Sequence, residues 1–297
     1  MKHHAWRHDP AAYTAAGPLA ARWADVDTRR HVNNIAVYGL HHEARWRWLL
    51  AVAGEQAFPQ NTVWLRPQHG VTEFWHECHY PAPVLAGTRL TRLDSHRLQL
   101  ATALWQQGRA VGAQHSTLAA WAPGGQLLQP LPTALAGRLR AHVQAVAEGD
   151  HPDAPEPPPA SPMPVGADQI GHYPQQATLA SRYGDLDADG GSSEAAVMRA
   201  IEQARAATLQ AAWAAAGGVP ERDWVSLVVA RIALHWAHHG APPPRWRLAG
   251  AVLHIGRSST VLRVAVFNDP IDTDADNATP PTLQAMADCV MVYTRPE

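Results

Sequence analysis

The sequence is poor in several residue types, and each shortage excludes a class of protein. Lys2 is the only lysine among 297 residues, so the basic residues are otherwise arginine. The net charge is −2, which gives no general electrostatic basis for binding nucleic acid or an anionic membrane. Since no run of 18 apolar residues occurs, no membrane-spanning helix is expected.

Cysteine and the common cofactor motifs are scarce or missing too. Cys78 and Cys289 alone cannot form a disulfide framework or a cysteine-rich zinc site. Residues 1–13 hold no apolar stretch long enough for a secretory signal, and neither a P-loop nor a dinucleotide-binding glycine pattern is found. We therefore expect a cytoplasmic protein that needs no cofactor.

What the sequence does contain is an internal repeat. Leu19–Asp27 reads LAARWADVD, and Leu179–Asp187 reads LASRYGDLD, 160 positions later (179 minus 19), with five of nine residues identical. Between the two copies lies the segment 151–164, HPDAPEPPPASPMP, whose proline content is typical of an extended linker. We predict an N-terminal domain at 1–150, a linker at 151–164 and a C-terminal domain at 165–297.

Hydrophobic periodicity predicts the same element order in both halves: one strand, one long helix, then several antiparallel strands. In the first half the predicted strands are 19–23, 71–80, 88–95, 99–106 and 110–121, and the predicted helices are 35–53 and 131–147. In the second half the predicted strands are 177–183, 225–236, 246–255, 260–267 and 282–293, and the predicted helix is 194–216.

A polar turn between the first strand and the first helix carries the residues best suited to chemistry. Arg22–Arg45 reads RWADVDTRRHVNNIAVYGLHHEAR, with two acids, a histidine and two asparagines ahead of a helical run. A carboxylate at this position can act as a general base or a nucleophile. The exposed N–H groups of the first helical turn can stabilise a developing oxyanion.

This pattern, RWxDxD followed by HVNN, Tyr and EAR, resembles the hotdog-fold acyl thioesterases. The resemblance is to the 4-hydroxybenzoyl-CoA thioesterase superfamily, and most closely to the acyl-ACP thioesterases, which carry two hotdogs per chain. Tyr80–Leu90, YPAPVLAGTRL, is similar to the family's segment ahead of its long hairpin. The resemblance implies an α+β fold of two tandem, pseudo-twofold related hotdog domains, each a long helix wrapped by a curved antiparallel sheet.

The resemblance also implies a reaction and its residues. The chain would hydrolyse acyl-CoA or acyl carrier protein thioesters, with the acyl chain lying between the two halves. Asp27 would be the acid, with His31 and Asn33 orienting water or the thioester carbonyl. The residues expected to bind substrate are Asn34, Tyr38, His79 and Tyr80, of which His79 and Tyr80 are matched with His235 and Trp236 in the second half.

The sequence departs from the family pattern at several positions. Arg30 stands where many members have glycine, and Arg29 stands where the plant-type enzymes have asparagine. The side chains of these two arginines could narrow the substrate site, or they could bind an anionic carrier of the acyl group. The second copy keeps an acid, Asp187, but has the sequence GSSE where the first has HVNN. We therefore expect a degenerate C-terminal domain and one productive site per chain.

Structural alternatives stay open for the same residues. Asp25 and Asp27 could simply shape the turn, and the asparagines could cap the helix. Glu43 is placed to pair with Arg47 one turn later. In the segment His76–His79 the two histidines would point to opposite faces of the predicted strand, so no metal site is expected.

Two other functions remain alternatives to thioester hydrolysis. The same fold serves dehydratases and hydratases of acyl thioesters, which use a differently placed histidine and acid. Because Arg30 departs from the family pattern and the second copy lacks the HVNN residues, a non-catalytic acyl-binding protein is a further alternative. A tandem chain already contains a pair of hotdogs, and further association into a homo-oligomer stays open.

Overall fold

The structure is a computed structural model that describes residues 5–57, 63–125, 127–148, 163–218, 226–269 and 280–294. The chain divides into two compact units, Met1–Ala160 and Ser161–Glu297. The proline-rich segment at 151–164 lies outside the described residues except for its last two positions. Among the helices described, none is both long enough and apolar enough to cross a membrane.

The first unit is an antiparallel sheet with two helices. Its elements are β1 Thr14–Leu19, α1 Asn34–Ala53, β2 Trp64–Phe74, β3 Val84–Leu93, β4 Arg97–Gln106, β5 Arg109–Trp121 and α2 Thr133–Glu148. The strands are ordered β1-β3-β4-β5-β2, and every pair is antiparallel. The long meander β3-β4-β5 follows from the short turns that join these strands.

The inner face of α1 forms the core of this unit because its apolar residues recur at helical spacing. The N-terminal half of α1 places Val37, Leu40 and Ala44 in one cluster with strand residues. Its C-terminal half packs Trp48 and Leu49 into a second cluster that includes residues of α2. Each fully buried side chain of this size contributes roughly 1.5–3 kcal/mol. Both clusters hold α1 in place, and with it the loop that precedes α1.

The second unit repeats this arrangement. Its elements are β6 Gln175–Ala180, α3 Glu194–Ala215, β7 Ser226–Trp236, β8 Arg245–Ile255, β9 Ser259–Asp269 and β10 Thr282–Thr294. Its strand order, β6-β8-β9-β10-β7, matches that of the first unit element by element. The helix α3 approaches the sheet at Gly250, where a Cβ atom would overlap the hydroxyl of Thr208. The sequence repeat therefore corresponds to a structural repeat.

The strand predictions at 19–23, 177–183 and 71–80 were wrong in position. β1 ends at Leu19 and β6 at Ala180, because an acidic side chain draws the following residues into a 3₁₀ turn in both units. β2 ends at Phe74, since the N–H groups of Trp75 and His76 both donate to the carbonyl of Val111 and interrupt the ladder. The segment that follows β2 is therefore irregular.

Both cysteines are free and buried, one in each unit. Cys78 lies in the irregular segment after β2, and burial raises the pKa of its thiol to about 11. Cys289 lies on β10, where burial raises the thiol pKa to about 12. Neither thiol is a reactive nucleophile, because both are held in the protonated form at neutral pH.

Candidate functional site

A 3₁₀ turn fixes the beginning of the loop between β1 and α1. The Oδ2 atom of Asp25 accepts the backbone N–H of Arg22 at 2.8 Å, and its two oxygens also bind the Arg22 guanidinium. The hydrogen bond from the Arg22 side chain holds the pKa of Asp25 below its ordinary value. Asp25 therefore has a structural role, as the turn alternative allowed.

Asp27 lies in the next turn and is anchored by one oxygen only. Its Oδ1 accepts the backbone N–H groups of Arg29 at 2.9 Å and His31 at 3.1 Å. The turn is closed by the Asp27 N–H, which donates to the His31 carbonyl at 2.8 Å. No partner for Oδ2 of Asp27 is found among the described residues. The second oxygen thus remains for a ligand, while the first holds the loop.

Arg30 is the strained residue of this turn. Its φ angle is 66°, in the left-handed region that glycine adopts most easily. The equivalent position of the second unit is Gly190, with φ of 81°. The turn thus favours glycine at this position, and Arg30 adopts the same backbone conformation at an energetic cost.

The start of α1 brings the two asparagines into different roles. Asn33 is the N-cap, because its Oδ1 accepts the N–H of Ile35 at 2.7 Å and its carbonyl accepts the N–H of Val37 at 2.9 Å. Asn34 is the first helical residue, and its Nδ2 is buried with no hydrogen-bond partner in the described parts of the chain. Tyr38 follows one turn later on the same face and is buried. The Asn33 carbonyl oxygen is thus engaged by the helix, whereas the Asn34 amide is the donor that lacks a partner.

The segment after β2 contacts the same loop. The N–H of Val32 donates to the carbonyl of Cys78 at 2.7 Å, which fixes the loop against this segment. The imidazole of His31 then meets Glu77, at 3.2 Å between Nε2 and Oε2, and His79, at 5.1 Å between ring centroids. Asp27 and His31 therefore share one turn, and the rings of His31 and His79 lie in contact beside it.

Other residues of interest lie elsewhere. Tyr80 is partly exposed and packs its ring on Trp23, with centroids 5.8 Å apart, so the described contacts do not join it to Asp27. His76 turns away from His79, since its Nδ1 contacts the carbonyl of Ala110 at 2.7 Å. Glu43 pairs with Arg47 at 2.7 Å, as its spacing indicated.

Glu77 is the residue that sequence reasoning missed. The sequence pattern predicts a strand at His76–His79, and in that strand only the two histidines are candidate ligands. The interrupted ladder after Phe74 and the contact with His31 are tertiary features that no local pattern reveals. An acid between two histidines was the only available signal.

The second unit reproduces the backbone of this site but not its side chains. Ser192 N–H donates to the Gly240 carbonyl at 2.7 Å, as Val32 does to Cys78, and Ser193 N–H donates to the Asp185 carbonyl at 2.8 Å, as Asn33 does to Asp25. These bonds make Ala241 and Pro242 the equivalents of His79 and Tyr80. The expected match with His235 and Trp236 was therefore wrong, because those residues belong to β7 itself.

The N-terminus of α3 is also capped differently from that of α1. Oγ of Ser193 accepts the N–H of Ala196 at 3.1 Å, whereas Oδ1 of Asn33 in α1 accepts the N–H of Ile35 at 2.7 Å. Glu194, which is 3% exposed, occupies the position of Asn34. The Oδ1 of Asp187 accepts the N–H of Ala188 at 2.7 Å, and the N–H of Gly191, four residues after Asp187, donates to Oδ1 of Asp189 at 3.0 Å. The two sites therefore differ in their donors and acceptors.

Comparison with known proteins identifies the fold. No protein-family model matches the sequence, and no curated protein is recognisably similar to it. Among solved structures, a protein assigned as an oleoyl thioesterase from Lactobacillus plantarum is similar with a TM-score of 0.68 at 8% identity, over 94% of this chain and 96% of its own.

Two further structures cover almost the whole chain. The 12:0-ACP thioesterase from Umbellularia californica has a TM-score of 0.65 at 9% identity, over 98% of this chain and 100% of its own. An acyl-ACP thioesterase from Bacteroides thetaiotaomicron has a TM-score of 0.61 at 10% identity, over 92% and 96%. Likeness at such low identity defines architecture and not chemistry. The chain has the α+β fold of these proteins, with two tandem hotdog domains.

Proposed function

We propose that the protein is an acyl thioesterase that hydrolyses acyl-CoA or acyl carrier protein thioesters, and that its reaction takes place at Asp27. The observation that carries the proposal is the anchoring of this carboxylate by one oxygen immediately before the N-terminus of α1. The full-length similarity to three structures named as thioesterases supports it.

In this reaction Asp27 activates the attacking water as a general base, or attacks the acyl carbon itself. The two backbone N–H groups on Oδ1 keep the carboxylate in one orientation without occupying Oδ2. His31 lies in the same turn, and we assign its ring to orienting the water. The leaving group is a thiolate, which departs readily because an ordinary thiol pKa is about 8.5.

The oxyanion is stabilised by the first turn of α1. Helical hydrogen bonding begins at the N–H of Val37, so the N–H groups ahead of it point towards the loop. The Oδ1 of Asn33 accepts the N–H of Ile35, and we assign the N–H of Ala36, the next residue, to the substrate carbonyl. The Asn34 amide, buried and without a described partner, adds a second donor, and the buried Tyr38 lines the site beyond it.

The carrier of the acyl group is recognised by charge in this proposal. Two of the similar structures are named as acting on acyl-ACP. Arg29 and Arg30 lie exposed in the loop that carries Asp27, where they suit the phosphate of a carrier or of coenzyme A. We propose that the reaction takes place in the cytoplasm, where two unpaired cysteines stay reduced.

The test is thiol release from a panel of acyl-CoA and acyl carrier protein thioesters of increasing chain length. We expect release with the wild-type protein and a loss of at least roughly a hundredfold in kcat for Asp27→Asn, the usual scale for losing a general base. Asparagine keeps the Oδ1 acceptor for Arg29 and His31, so the thermal unfolding temperature should be unchanged.

Three other outcomes would contradict the proposal. If Asp27→Asn folds normally and turns over as the wild type does, Asp27 is structural. Loss of enoyl absorbance without thiol release would identify a hydratase. Tight acyl binding without turnover by the wild type would identify a binding protein.

A further inference from the structure

A cluster of three donor side chains lies beside the loop that precedes α1. Nε2 of His31 is 3.2 Å from Oε2 of Glu77, and the rings of His31 and His79 are nearly perpendicular, at 85°. One nitrogen or oxygen atom from each of the three residues lies within 4.8 Å of the other two. We propose that His31, Glu77 and His79 bind a single divalent transition-metal ion of the zinc class.

The donor set agrees with this ion. Two imidazoles and one carboxylate are ligands of Zn²⁺, at about 2.0–2.2 Å, and three protein ligands leave a fourth position open for water. Ligand atoms around a tetrahedral ion with such bonds are about 3.4 Å apart. Closing the cluster to that spacing needs only side-chain rotation, since the Glu77 side chain is 54% exposed and His79 is exposed.

The backbone that carries the three ligands is already fixed. The loop with His31 is held to the segment with Glu77 by the bond from Val32 to Cys78. His79 is held by the buried side chain of Gln106, whose Oε1 accepts the His79 N–H at 2.9 Å and whose Nε2 donates to the His79 carbonyl at 2.8 Å. Metal binding would therefore order side chains and not the chain itself, which lowers its entropic cost.

The second unit has the same backbone without the ligands. By the bond from Ser192 to Gly240, the positions of His31, Glu77 and His79 are taken by Gly191, His239 and Ala241. One donor of three remains there. The site thus belongs to the first unit alone, and the same fold serves as an internal comparison.

An ordinary ion pair explains less of this cluster. An ion pair involves only His31 and Glu77, and it assigns no role to His79. A metal ion accounts for all three donors, so His79 is the residue that separates the two interpretations. Binding is measured without substrate, and its failure would leave the thioesterase proposal untouched.

The experiment is titration of chelator-treated, full-length protein with ZnCl₂, followed by calorimetry, and with CoCl₂, followed by visible absorption. We expect one tight site and a tetrahedral cobalt spectrum. His79→Ala and Glu77→Gln should each weaken Zn²⁺ binding by at least about tenfold, since loss of a mere partner of a ligand already costs 10–100-fold. Zn²⁺ should also raise the unfolding temperature of the wild type more than that of either variant.

The matched control is His76→Ala, which removes a neighbouring histidine that lies outside the cluster. It should bind as the wild type does. The chain contains 18 histidines, so weak binding elsewhere is expected and the difference between variants is decisive. The proposal is wrong if the wild type has no tight site, if His79→Ala and Glu77→Gln bind unchanged, or if His76→Ala loses as much affinity as His79→Ala. Glu77→Gln keeps the test valid even if His79→Ala does not fold.

Discussion

At the scale of single residues, the turn at Asp27 shows how much one backbone angle constrains the sequence. Arg30 and Gly190 occupy equivalent positions, since each donates its N–H to the carbonyl of the acid three residues earlier, at 3.0 Å. Both have positive φ, but only glycine adopts such an angle without steric cost. The two units therefore offer a reciprocal pair of substitutions.

We expect Arg30→Gly to stabilise the protein by up to about 1 kcal/mol, because relief of left-handed strain exceeds the entropy that glycine adds to the unfolded chain. Gly190→Arg should destabilise by about 1–2 kcal/mol through backbone strain alone, since nothing lies within 4 Å of a Cβ built there. The measurement is the shift of the denaturant midpoint at constant m. Equal signs for the two substitutions would refute this account.

At the scale of elements, α1 combines an apolar face with a buried polar one. His41 is fully buried, with Nδ1 2.8 Å from the hydroxyl of Thr102. Arg45, also fully buried, donates to the side chains of Gln114 and Ser116 on β5. Burial, assisted by the charge of Arg45, lowers the pKa of His41 to about 3.

This pKa predicts a loss of stability in acid. An unfolded histidine binds a proton near its ordinary pKa of about 6.5, whereas the folded one stays neutral, so the unfolded state is favoured as the pH falls. The loss begins near pH 6.5, proceeds at up to about 1.4 kcal/mol per pH unit, and ends near pH 3. His41→Gln cannot take up the proton, and its free energy of unfolding should fall less between pH 6.5 and pH 4. His254→Gln, at an exposed position of β8, is the control and should follow the wild type.

The positions of helices and strands are the features that the sequence predicted best in some cases and worst in others. The helical periodicity of 35–53 and 194–216 located α1 and α3 to within one residue at each end, because their apolar spacing is dictated by the core. The strand at 71–80 was misplaced, since its end is set by the carbonyl of Val111 on another strand. Asp27 could be predicted from its motif, which is local in the sequence. The contact of Glu77 with His31 could not be predicted, because it is a tertiary contact.

At the scale of the whole molecule, the chain carries one backbone scheme twice with different side chains. The first copy combines Asp27 with an imidazole and an amide donor. The second places Glu194 at the helix start and uses the Ser193 hydroxyl on Ala196, so an oxyanion there would meet a carboxylate and an N–H that is already bonded. The proposed reaction therefore belongs to the first unit.

The prediction is that Asp187→Asn leaves kcat for thioester hydrolysis near the wild-type value, while Asp27→Asn lowers it strongly. Both are compared at matched thermal stability, because each acid shapes its own turn. A fall for Asp187→Asn as large as that for Asp27→Asn would show that the two sites are equivalent.

The burial of both cysteines gives these experiments a reporter that needs no added label. A disulfide reagent that detects the released thiol product should not react with the native protein, since Cys78 and Cys289 are inaccessible and protonated. Once a unit opens, its own thiol becomes titratable. Because each unit holds one cysteine, the rate at which each is modified reports the opening of that unit separately. A single reagent thus follows turnover in the folded protein. In the absence of substrate, the same reagent follows the local stability of either half.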